Sequence, residues 1–146
     1  MGNFKYSLIV FLLSINISWS QTVIGKLYTK LDADNIYGPV SSSVQISTGL
    51  LNNFASSTTN FIMFRINNGN LIILGDQRKP LYPSASVVSQ TDEMRVFSVS
   101  LVKKLLQDGN NINTSIEIRN NNVLTLTNGN STLEYSAPCP PYCTGE

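Results

Sequence analysis

The sequence predicts an α+β fold, in which an antiparallel sheet built from two strand-helix-hairpin units carries short helices on one face. Three observations point there. Apolar and polar residues alternate with period two through Val44-Gln45-Ile46-Ser47. Apolar residues recur at helical spacing in Leu50-Leu51-Phe54-Ala55 and in Leu101-Val102-Leu105-Leu106. Asn-rich turns join paired apolar runs at Asn67-Asn68-Gly69-Asn70 and Asn120-Asn121-Asn122. The order strand, helix, hairpin occurs twice, with 51 residues from Ser47 to Ser98 and 54 from Arg65 to Arg119, a pattern that either a duplication or the chance recurrence of a common local order gives.

Taken in order, Thr29 to Tyr37 reads as a helix capped by Thr29, with Asp32 three residues on and Gly38-Pro39 to end it. A strand through Val44, Ile46 and Thr48 leads into a second short helix near Thr48 to Ser56. Phe61 to Ile66 and Leu71 to Leu74 form a hairpin. Pro80 to Pro83 reads as an edge strand, because proline cannot donate to an interior ladder. Ser84 to Asp92 is a Ser-rich connection, expected to be the mobile loop. The second unit follows as a strand from Arg95 to Val99, a helix to Asp108 closed by Gly109, and a hairpin of Ser115 to Arg119 with Val123 to Thr127. The turn Asn128-Gly129-Asn130 then leads into Ser131 to Tyr135.

Residues 1–20 have the form of a signal peptide: Lys5 near the start, an apolar run from Leu8 to Ile17, then Ser18-Trp19-Ser20. That run is about half the ~20 apolar residues a membrane span needs. The expected organisation is a signal peptide at 1–20, a single α+β domain at 21–136 and a Cys/Pro-containing tail at 137–146. The expected location is periplasmic or secreted, and the style of the leader is bacterial.

Composition narrows function by exclusion. Without Lys5 nine cations face nine carboxylates, and charged residues are only 13% of the chain against a usual ~25%. No basic stripe is present to neutralise phosphates, so no nucleic-acid partner is expected. Polar surface comes from the 15 Asn, 14 Ser and 11 Thr that follow Gln21. No membrane span is expected after signal cleavage.

The chain contains no histidine, which removes Ser-His-Asp and Cys-His nucleophiles and His-ligated metals. Ser100-Leu101-Val102-Lys103 spells SxxK but lacks its companion motifs. Asp32-Ala33-Asp34-Asn35 fails the calcium-loop spacing. Asp92 and Glu93 are adjacent, so they point apart. We assign no catalytic, cofactor-binding or metal-ligating residue, and expect no enzyme and no cofactor. Cys139 and Cys143 flank Pro140-Pro141-Tyr142 and form a disulfide candidate closing a five-residue loop.

What remains is a small binding module for an unknown protein partner in the envelope or outside the cell, with Leu81, Tyr82 and Tyr142 as the candidate contacts. Two alternatives stand beside it. One is a structural or accessory envelope component that assembles through sheet edges. The other is a carrier of a small apolar ligand, with Phe54, Phe61, Met63, Phe64 and Phe97 as its lining.

Overall fold

Ten strands and three helices alternate along residues 22–141, the part of the chain described by the computed structural model. The signal-peptide segment and the candidates Tyr142 and Cys143 lie outside the described residues. The α+β class is as expected. The strands are β1 Lys26–Thr29, β2 Val40–Ser47, β3 Phe61–Asn67, β4 Asn70–Leu74 and β5 Pro80–Tyr82. They continue with β6 Met94–Ser98, β7 Asn113–Arg119, β8 Leu124–Asn128, β9 Ser131–Glu134 and β10 Ala137–Cys139. The helices are α1 Lys30–Tyr37, α2 Thr48–Ser57 and α3 Val99–Gly109.

Local chemistry explains the boundaries. Thr29 Oγ1 accepts from the Asp32 amide at 3.1 Å and donates to the Asp32 carboxylate at 2.7 Å, fastening the start of α1. At its other end Gly38 adopts φ +79° and donates to the Asp34 carbonyl, a conformation that glycine takes without a Cβ clash. In the β3–β4 turn, Asn68 and Gly69 both have positive φ, which matches the right-handed twist of a two-residue hairpin.

Every paired strand is antiparallel, in two five-stranded sheets ordered β1-β9-β8-β7-β2 and β10-β6-β3-β4-β5. Helices α2 and α3 carry the chain from one sheet to the other, so a unit's first strand and its hairpin fall in different sheets. Strand β2 of the first unit pairs with β7 of the second, and β6 of the second pairs with β3 of the first. The two units therefore exchange their leading strands. Strands β1 and β10 are short additions at one edge of each sheet.

One apolar core joins the inner faces of both sheets to α2 and α3. It contains Leu51 and Ala55 of α2, Val102, Leu105 and Leu106 of α3, Phe64 and Phe97 of one sheet, and Ile116, Leu126 and Leu133 of the other. A second cluster of Phe61, Met63, Leu74, Met94, Val96 and Cys139 covers the far face of the β3–β4–β6 sheet. Strand β3 is thus buried on both faces, which is why its sequence is a continuous apolar run. Helix α1 differs from α2 and α3. It buries only Ala33 and sits against β1 and β9.

Candidate functional site

Strand β2 is the longest open edge among the described residues. It lies at the end of its sheet with Val40-Ser41-Ser42-Ser43-Val44-Gln45-Ile46-Ser47 as its sequence. The other three edges are short, at three or four residues, and β5 and β10 contain proline. Natural edges are usually protected by charge, proline or brevity. Apart from a register shift between Val40 and Ser42, β2 has none of these protections.

Beside this edge runs a cleft of about 190 Å³ lined by Val44, Gln45, Ile46, Gly69, Asn70, Leu71, Tyr82 and Pro83. It lies where the open side of one sheet faces the β4–β5 end of the other. Tyr82 is 39% exposed, and its ring is tilted against Phe54 with centroids 6.0 Å apart. The ring is packed on one neighbour while the residue stays partly open to solvent. Leu81, the neighbouring candidate, turns inward and packs against the main core. The structure brings Tyr82 to the cleft and removes Leu81 from it, because the two adjacent strand residues face opposite sides.

The strongest electrostatic feature lies elsewhere and was not legible in the sequence. Glu117, Arg119, Thr125, Thr127, Thr132 and Glu134 are buried on the sheet face that carries α1. Arg119 Nη1 donates to Asp34 Oδ1 at 2.7 Å and to the Gly38 carbonyl at 2.6 Å. Its Nε is 3.0 Å from Glu134 Oε1, a charge contact off the N–H direction rather than a hydrogen bond. Glu117 is 3.6 Å from Nη2 and accepts from Thr125 and Thr127. Three carboxylates thus surround one guanidinium.

Burial pushes the Glu134 carboxyl up to about 7, against the opposing pull of Arg119 and with help from Glu117. A carboxyl in that range suits proton transfer. Glu134 is 0% exposed, however, so no substrate can touch it in this fold. Beside it, Tyr37 donates to Tyr28 at 3.3 Å, and burial together with that bond raises the Tyr37 phenol. The cluster reads as a polar fastening of α1 to the sheet.

A second clasp lies across the other sheet. Arg78 Nη2 donates to the carbonyls of Ser89 and Asp92 at 2.8 and 3.0 Å, and Nη1 approaches Cys139 Sγ at 3.0 Å. The connection expected to be mobile is thereby tied to β10. Asp76, at the start of the same turn, accepts from the backbone amides of Thr59, Asn60 and Phe61. Burial alone would raise its carboxyl, but these donors hold it below the usual aspartate value.

The remaining residues singled out from sequence are dispersed. Asp92 pairs with Arg65 at 3.0 Å and Glu93 with Arg95 at 2.7 Å, so the two carboxylates serve separate partners. Phe54, Phe64 and Phe97 belong to the main core, and Phe61 and Met63 to the second cluster. Among the described residues, no group of three or more Asp, Glu or Cys is arranged to hold a metal ion, and no helix is long and apolar enough to cross a membrane. Comparison with protein-family models, with curated proteins and with solved structures finds no match to this chain.

Proposed function

We propose that the protein is an exported, non-enzymatic binding module that takes an extended segment of another protein along β2. The observation that carries this reading is the juxtaposition of an uncharged eight-residue edge with the Tyr82-lined cleft. An added strand would gain main-chain hydrogen bonds from the open edge, and the cleft would receive its alternate side chains. Tyr82 supplies contact area and a polar tip at little entropic cost. A chain without histidine supports the non-enzymatic part of the proposal. Export rests on the leader-like residues 1–20, and an oxidising compartment would favour the Cys139–Cys143 disulfide.

Immobilised protein incubated with envelope extract of the producing cells tests the reading. Capture that disappears in both Tyr82→Ala and Gln45→Lys, with unchanged melting of the variants, supports it. No reproducible partner, or capture indifferent to both changes, overturns it. Mass spectrometry of the exported chain should place its first residue at Gln21, and non-reducing peptide mapping should recover Cys139 joined to Cys143.

The same edge favours a second reading, assembly into an envelope structure by strand addition between copies. Concentration-dependent sedimentation abolished by Gln45→Lys, with no heterologous partner, distinguishes it.

A further inference from the structure

Two Asn-Gly steps occur among the described residues, Asn68-Gly69 and Asn128-Gly129, and the fold treats them in opposite ways. We propose that Asn68 is a site of spontaneous deamidation in the folded protein, and that Asn128, with the same local sequence, is protected.

The chemistry needs only the chain and water. The Gly69 backbone nitrogen loses its proton and attacks Asn68 Cγ. The Cγ–Nδ2 bond breaks, ammonia leaves, and a succinimide ring forms. Water then opens the ring at either carbonyl, giving aspartate or isoaspartate. Glycine favours the step because it has no Cβ to obstruct the ring.

At the tip of the β3–β4 hairpin nothing opposes this. Asn68 and Gly69 are exposed, and neither makes a hydrogen bond outside the hairpin ladder. A Cβ placed on Gly69 would meet no atom within 4 Å. The backbone at the tip is therefore free to rotate towards the attacking geometry, a local opening that leaves both cores intact.

At the β8–β9 turn both reacting parts are held. Asn128 is only 1% exposed. Its Nδ2, the group that must leave, donates to Thr48 Oγ1 and Thr114 Oγ1 at 2.8 Å and to the Asn111 and Asn113 carbonyls at 3.2 Å. Its Oδ1 accepts from the Asn111 amide at 2.9 Å. Gly129 is packed so closely on Gly109 that a Cβ there would overlap the Gly109 carbonyl. The ring cannot close without separating α3 from this turn.

The product places a carboxylate at the tip, next to Gly69 and Asn70 of the β2 cleft. The opposing edge is uncharged, so a new charge there would change what the cleft accepts with time.

The test is peptide mapping of the intact chain after prolonged incubation in mildly alkaline buffer, with and without denaturant. In the folded protein Asn68 should convert faster than Asn128 by roughly tenfold or more, since breaking even one of the Asn128 hydrogen bonds to open that site costs enough for this factor. In denaturant the two sites should convert at matching rates. Asn68→Gly, which keeps the positive φ of the turn, should abolish the folded-state product while the chain still melts cooperatively. Equal conversion of the two sites in the folded chain overturns the proposal. So does an intact Asn68 under conditions where the denatured chain has reacted.

Discussion

Replacing Glu134 with glutamine should make the protein more stable above neutral pH and remove most of its pH dependence between acid and neutral conditions. Glu134 is completely buried and neither of its oxygens accepts a hydrogen bond among the described residues. Its carboxyl is pushed from the usual glutamate range up to about 7, chiefly by burial. The folded state therefore holds the Glu134 proton more tightly than the unfolded chain does. The stability this provides is fully present below the unfolded value and is lost as pH rises through the folded one. The shift corresponds to about 3 kcal/mol, enough to move the melting temperature of a chain this size by about 10 °C. Urea unfolding followed across that range should show the wild type weakening towards alkaline pH while Glu134→Gln stays level. The two proteins should match at acid pH, and the variant should exceed the wild type above pH 8. If Glu134→Gln weakened the protein equally at every pH, the carboxylate would be ionised and paired with Arg119 throughout, because breaking a buried ion pair costs about 3–5 kcal/mol. A uniform loss of that kind would overturn the reading of Glu134 as a carboxyl that gives up its proton only near neutral pH.

Other outcomes follow from the same geometry. Asn128→Asp replaces an amide whose two N–H groups are shared among four acceptors by a carboxylate facing two carbonyls, and should cost at least about 2–3 kcal/mol in chemical unfolding. Gly109→Ala places a methyl group onto the Asn128 carbonyl and side chain, so thermal unfolding should reveal a loss of about 2 kcal/mol or more. Asp76 behaves oppositely to Glu134: its carboxyl is held low, so its contribution is present above the usual aspartate value and disappears as pH falls through the folded one. Asp76→Asn should therefore flatten the acid limb of the stability profile while leaving the alkaline limb unchanged.

The fold was legible in the sequence wherever local chemistry decides it. Thr29 with Asp32, Gly38 with Pro39, and Asn68 with Gly69 mark their element ends through contacts made within a few residues. The two-unit pattern was legible as well, because alternation, helical spacing and turn residues repeat in order. The division into two sheets was not, because strand exchange depends on which distant strand each edge meets. Strands β1 and β10 escaped notice for a related reason: at four and three residues they are too short to show a period.

The polar cluster was hidden for a different reason. Glu117, Arg119, Thr125 and Thr127 occupy alternate positions opposite core residues, which reads as a solvated strand face. Only the return of α1, bringing Asp34 to Arg119, turns that face into an interior. Arg78 is similar, since one cation in a turn gives no hint that it will meet Ser89, Asp92 and Cys139. Of the candidate partner contacts, which residue type and edge position singled out, Tyr82 lies at the cleft. Val44 and Gln45 were visible as strand residues, but their place beside an open groove was not.

Because β2 completes the sheet of the later half and β6 that of the earlier one, the molecule has no place where it can be cut into two self-sufficient pieces. Fragments severed between Ser84 and Asp92 would each lack a border that only the sibling fragment carries, so folding would become a meeting of two molecules and its yield would rise with concentration. A half-length chain with this strand order would need a second copy to complete its sheets. In this chain the two halves are tethered, and the connection restrained by Arg78 is the tether.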